Sequence, residues 1–177
     1  MRMKNLETKF LTLRPLALQD VDAIQNLAGR YEIASITMNI PYPYLSGMAV
    51  RWLSEVISLP PDSQQSFAIC LKPSSELIGV IALHIDQKHE RARISHWLSV
   101  DYWQTHFSAE AIKCLVAYGF HDLKLNRLYT QYFANDSYNA RIYTDAGFIT
   151  EGVLKQHVKK WGQFRDLCIS GIVKNPH

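Results

Sequence analysis

The order of apolar and polar positions changes period inside one stretch, Arg93 to Phe120, and the other segments are arranged around it. Ile94, His96 and Leu98 fall on one side of an extended segment, with Ser95, Trp97 and Ser99 on the other. Further on, Ile112, Leu115, Val116 and Gly119 recur at i, i+3, i+4 and i+7, one face of a helix. The stretch thus reads as strand, turn, helix. Upstream, Phe10–Arg14 alternates as a short strand that Pro15 ends, and Asp20 anchors the start of a helix whose face is Val21, Ile24, Leu27 and Ala28. Ile40-Pro41-Tyr42-Pro43-Tyr44 is an extended loop, because two prolines remove amide donors. A second helix is predicted from about Ser46, its cap, to Leu59, with Ala49, Trp52, Leu53 and Val56 facing inward.

The pattern then turns to strands. Ser66–Leu71 and Leu77–Ile85 form a hairpin pair across the polar Lys72–Glu76 connection. Leu77–Leu83 is nearly all apolar, as expected of a strand covered on both faces, so it belongs at the centre of the sheet. Gln87–Arg91 is an exposed turn that returns the chain as the Arg93–Leu98 strand. Downstream of the long helix, Asn126–Phe133 is a strand rich in aromatic and branched residues. Asn135–Phe148 is a capped helix closed by Gly147. An apolar strand up to Val173 ends the pattern.

Composition narrows the possibilities only modestly. A chain of 177 residues, 47% hydrophobic and 20% charged, suits one domain over residues 1–177. A formal charge of +3 from 19 basic and 16 acidic residues gives no argument for nucleic acid. Cys70, Cys114 and Cys168 are widely spaced among apolar neighbours and read as free thiols of a reducing compartment, not as a disulfide framework or a zinc site. No apolar run reaches the ~20 residues of a membrane span, and the start lacks a signal-peptide core, so a soluble, cytoplasmic protein is expected. His84 and His96 lie on neighbouring strands, but no third ligand accompanies them, so no metal is expected.

A strand that turns into a helix N-terminus leaves amide groups unpaired, and the helix dipole favours an anion in front of them. The spacing therefore predicts a phosphate-bearing ligand at Gln104–Ala109, although an ordinary strand-helix junction has the same pattern. The residues there are Tyr102-Trp103-Gln104-Thr105-His106-Phe107-Ser108-Ala109-Glu110-Ala111. They resemble the acyl-coenzyme A motif of the GCN5-related N-acetyltransferases (GNAT), in the branch that resembles the ribosomal-protein N-terminal acetyltransferases. Relatives there carry Tyr-Trp-Gly-Lys-Gly-Tyr-Ala-Thr-Glu-Ala. Gln104 and His106 replace the two glycines, and a Cβ at the second should crowd the coenzyme diphosphate. Two further stretches resemble the same family: Leu13-Arg14-Pro15-Leu16 with Asp20, and the helix carrying Tyr143, Gly147 and Phe148, in which the family's asparagine falls on Asp136 or Asn135.

The resemblance implies an α/β (α+β) fold, a central twisted, mixed, mostly antiparallel sheet flanked by helices. It also implies acetyl-coenzyme A as co-substrate and transfer to a primary amine, on a protein N-terminus or a small molecule, by direct attack in a ternary complex. Tyr143 would be the acid that protonates the departing thiolate, and Asn139, with Asn135, would face the coenzyme arm. The backbone amides of Leu98, Ser99 and Val100 would hold the thioester carbonyl, and Gln104, Thr105, His106, Phe107, Ser108 and Ala109 the diphosphate. Tyr42 and Tyr44 would line the acceptor site.

The amine must also lose a proton. Some relatives use an acidic residue at the position of Gln131, which cannot serve, leaving His84, Asp86, His96 or a relayed water. His106 either donates to the diphosphate or blocks it. The second case would make the domain a degenerate binding or interaction module. Monomer and homodimer both remain open.

Overall fold

The computed structural model describes residues 3–174. Eight strands form one sheet in the order β1-β2-β3-β4-β5-β6-β8-β7. They are β1 Leu6–Glu7, β2 Leu11–Pro15, β3 Gln64–Leu71, β4 Leu77–Asp86, β5 Arg91–Leu98, β6 Arg127–Phe133, β7 Ile149–Lys160 and β8 Gln163–Val173. All neighbours are antiparallel except β5 and β6, as a strand-helix-strand crossover requires. The helices are α1 Val21–Ala28, α2 Tyr31–Ile36, α3 Met48–Ser58, α4 Phe107–His121 and α5 Ser137–Asp145. None of the described helices is long and apolar enough to cross a membrane.

Strand parity divides the core between the two faces. On one, Leu13, Phe67, Ile81, Ile94 and Leu98 pack with Ile112 and Leu115 of α4 and with Ile142 of α5. On the other, Ala68, Val80 and Trp97 pack under Ile24 of α1, Ile33 of α2, and Ala49 and Leu53 of α3. β4 is buried from Leu77 to Leu83, so its continuous apolar run reflects cover on both faces. At its start the sheet is tight: a Cβ on Gly79 would meet the Trp97 carbonyl at 2.4 Å, so no side chain fits between β4 and β5 there.

Two expected helix starts are built differently. α3 begins after Gly47, which takes φ +84, and no side chain caps it, so Ser46 is not the cap. The chain enters that helix through a left-handed turn that glycine adopts without strain. Asp20 makes no cap bond to α1 either. It is buried, accepts two hydrogen bonds from the Arg14 guanidinium at 2.9 and 2.6 Å and one from the Ala17 amide, and so ties β2 to the helix rather than starting it.

Candidate active site

The site begins where two strands part. β5 and β6 are in register only over Arg91–Arg93 against Arg127–Tyr129. The Thr130 hydroxyl then donates to the Ile94 carbonyl at 3.1 Å, and beyond it the strands diverge. Antiparallel pairing makes hydrogen-bonded residues alternate. The Ser99 amide donates to the Ile78 carbonyl at 2.7 Å, so by that alternation the amides of His96 and Leu98 face the open side. Ser99 itself, expected as a carbonyl donor, has its amide occupied. The Leu98 carbonyl is taken by the Trp103 indole at 2.8 Å, which leaves the His96 and Leu98 amides as the donors on this edge.

The open edge runs up to the N-terminus of α4. Thr105 fixes the turn: its hydroxyl donates to the Tyr102 carbonyl at 2.6 Å and accepts from the Phe107 amide at 3.2 Å. Among the described residues, no acceptor satisfies the amides of Gln104, His106, Ser108 or Ala109. Such a cluster at a helix start favours an anion. His106 is drawn to the side, its Nε2 lying 3.4 Å from Glu110 and its ring meeting Phe10 edge-on at 5.2 Å. Tyr138 of α5 spans the adjacent gap, bonded to the buried Ser108 hydroxyl at 2.7 Å and stacked on Trp103 at 4.9 Å. Beside it lies a cavity of about 270 Å³.

Tyr143 lies at the deep end of the opening. Its ring is fully buried, stacked on Tyr132 at 5.9 Å and edge-on to Phe148 at 5.2 Å. Its hydroxyl is 3.0 Å from Nδ1 of His96. Burial pushes the tyrosine pKa well up, so the hydroxyl keeps its proton at working pH. Burial also brings His96 down to about 4. His96 Nε2 is occluded and has no partner among the described residues.

On the other face a cleft of about 380 Å³ opens between α1–α3 and the sheet, reaching Tyr143, His96 and Asn139 through the gap. Cross-strand register builds its floor, a row of Gln64, His84 and Arg93 and a second of Ser66, Ala82 and Ser95, with Gln131 alongside. His84 Nε2 is 2.8 Å from the Ser95 hydroxyl. Burial, then the nearby Arg93 charge, brings His84 down to about 4. Tyr44 lines this cleft, but Tyr42 does not: half-exposed, it packs edge-on to Tyr31, which stacks on Trp161.

The remaining expected residues divide similarly. Asn135 is turned outward, accepting from Arg165 at 2.8 Å. Asp136 takes the capping place, accepting from the Asn139 amide at 3.0 Å and from its side chain at 2.6 Å. Asp86 caps the turn after β4 and pairs with Arg91 at 3.1 Å, remote from the opening. No group of three or more His, Cys, Asp or Glu among the described residues is placed to hold a metal. Arg93 and Ser95 are not among the residues expected at the site from the sequence, although their parity with Trp97 puts them on the cleft face.

Comparison with known proteins agrees with this geometry. Residues 11–149 match the model of the acetyltransferase (GNAT) domain. An uncharacterized N-acetyltransferase, p20, of Bacillus licheniformis is 29% identical over 178 residues, covering 99% of each chain. A ribosomal L7/L12 alpha-N-protein acetyltransferase, RimL, solved with coenzyme A, superposes with a TM-score of 0.88 at 15% identity, covering 96% of this chain and 98% of that one. A spermidine N-acetyltransferase of Vibrio cholerae, solved with coenzyme A and spermine, gives a TM-score of 0.81 at 23% identity over 93% of this chain and 95% of that one.

Proposed function

The chain belongs to the GNAT acetyltransferase family and is an N-acetyltransferase, and on that premise we propose that acetyl passes directly from acetyl-coenzyme A to a primary amine in a ternary complex. The observation that carries this reading is the opening between β5 and β6. It joins unsatisfied amides at the α4 N-terminus to the His96–Tyr143 pair and opens on the acceptor cleft beyond.

The diphosphate lies against the α4 amides, and the coenzyme arm runs along β5 as an extra strand, bonding the free amides of His96 and Leu98. One of these polarises the thioester carbonyl. The neutral amine attacks from the α1–α3 side. As the carbon–nitrogen bond forms the nitrogen gives up a second proton to water, and the carbon–sulfur bond breaks toward Tyr143. The tyrosine that protonates the thiolate takes a proton back from water. The neutral His96 has one proton to place. With that proton on Nδ1, the ring donates to the Tyr143 oxygen, and the tyrosine proton is free to meet the departing thiolate. That tautomer leaves Nε2 as an unpaired acceptor, which costs less than an unpaired donor. Desolvation raises the thiolate's proton affinity in the same crevice, which favours the transfer.

Neither histidine serves as the base at rest. Moving a proton from an ordinary ammonium, pKa ~10, to an imidazole near 4 is uphill by roughly 8 kcal/mol. The amine therefore loses its proton to water before attack, with His84 and Ser95 orienting the water or the amine. The test has two parts. Acetyl-coenzyme A should raise the melting temperature, by about 2.7 kcal/mol of added stability at a hundredfold excess over Kd. No shift at millimolar coenzyme would move the chain to the degenerate-module reading. The rate kcat/KM should climb toward the amine's own pKa; a break near ~6.5 that disappears in His84→Gln would instead make His84 the base.

A further inference from the structure

Arg93 is a charged residue on the cleft floor that the mechanism above does not use. It stands on the floor, half-buried, opposite His84 across the strand pair and two residues before Ser95, and its charge reaches both His84 and Tyr143. Among the described residues it makes no ion pair and no hydrogen bond, whereas Arg14, Arg91 and Arg127 each hold a carboxylate. A guanidinium on a cleft floor with no anion beside it has its donors free, and the partner that matches its planar fork is a carboxylate or phosphate held two-pronged.

The other charges in the cleft point the same way. Beside three tyrosines, its ionisable lining is Arg51, Arg93, Glu55, His84 and His96. Both histidines are neutral at working pH. Arg51 and Glu55 are both exposed, one turn apart on α3 and away from the floor, so they offset each other and Arg93 is the charge on the floor itself. A polycation would find no anion there, while an amine carrying its own anionic group would bring the charge that Arg93 lacks.

We propose that the acceptor is a small amine bearing a carboxylate or phosphate a few bonds from its nitrogen, and that Arg93 binds this anion on the cleft floor and so presents the amine to the thioester. This rests on the transferase reading and narrows its acceptor.

Matched pairs of acceptors test the proposal, with turnover followed by coenzyme A release. Amino acids are compared with their amides, 2-aminoethyl phosphate with ethanolamine, and spermidine and a neutral peptide N-terminus are included. Each anionic member should exceed its neutral partner in kcat/KM by roughly 10- to 100-fold, the range of a hydrogen bond to a charged group. The amino-acid and aminoalkyl-phosphate arms tell carboxylate from phosphate. Arg93→Gln should collapse that ratio toward one, and Arg93→Lys should restore part of it, while calorimetric affinity for acetyl-coenzyme A stays unchanged in both variants. Equal rates for acid and amide, a preference for spermidine or the peptide, or a ratio that survives in Arg93→Gln would overturn it. Failure of wild-type protein to bind acetyl-coenzyme A would instead overturn the transferase reading beneath it.

Discussion

Replacing Tyr143 by Phe removes one oxygen from a fully buried ring and tests chemistry and stability together. The ring packing against Tyr132 and Phe148 is retained. If the hydroxyl donates to the leaving thiolate, the loss is that of a hydrogen bond to a charged group, ~1.5–3 kcal/mol, or roughly 10- to 150-fold in kcat. Affinity for acetyl-coenzyme A should stay within about twofold, because the thiolate exists only as the bond breaks. Stability should fall too. The His96 ring already has Nε2 unpartnered, and the substitution would leave Nδ1 unpartnered as well. An orphaned buried polar atom costs ~1–3 kcal/mol, which at this chain length lowers the melting temperature by roughly 2–10 °C. The assays are thiol release at saturating acetyl-coenzyme A, calorimetric binding and a thermal melt. The double variant Tyr143→Phe with His96→Leu closes the cycle. Because it removes both polar partners, its stability loss should be smaller than the sum of the single losses. Unchanged kcat in Tyr143→Phe would remove the acid role, and strict additivity would show that the 3.0 Å contact carries no coupling.

Two further outcomes follow from the same geometry. His84 and His96, each near 4 in the folded chain against 6.5 ordinarily, stay neutral while the unfolded chain takes up protons. Their contribution is therefore fully present above about 6.5 and is lost as pH falls toward about 4, so denaturant midpoints should drop across that window and drop less in His84→Gln; a flat profile would refute the shifts. His106→Gly should tighten acetyl-coenzyme A binding severalfold in calorimetry, because it removes the Cβ before the diphosphate and gives up an exposed pairing with Glu110 and edge-on contacts with Phe10 and Phe107; equal or weaker binding would show that the imidazole assists the coenzyme.

What the sequence made legible was local. Period alone located the long helix, since Ile112, Leu115, Val116 and Gly119 lie within about two turns of one another and all are buried. The apolar run of β4 marked the sheet centre for the same reason. α2 was invisible because its six residues are too few to display a period. β1 went unseen because two residues give no alternation. Ser46 was chosen for its side chain, whereas the turn selected Gly47 for its backbone.

The site depends on contacts that no window of sequence contains. His96 and Tyr143 are separated by 47 residues, and their meeting depends on how α5 returns over β5. The isolation of Arg93 is a fact about its neighbours on β4, β6 and α3, so nothing in its own surroundings along the chain announces it. Parity alone separates the two histidines. His84 pairs with Arg93, and His96 is three residues further along β5, an odd step, so the two rings must leave the sheet on opposite faces. The opposite faces put His96 against the Tyr143 hydroxyl and His84 against the Ser95 hydroxyl in the cleft, so in the proposed reaction one ring would orient the proton that meets the thiolate and the other the incoming amine or its water.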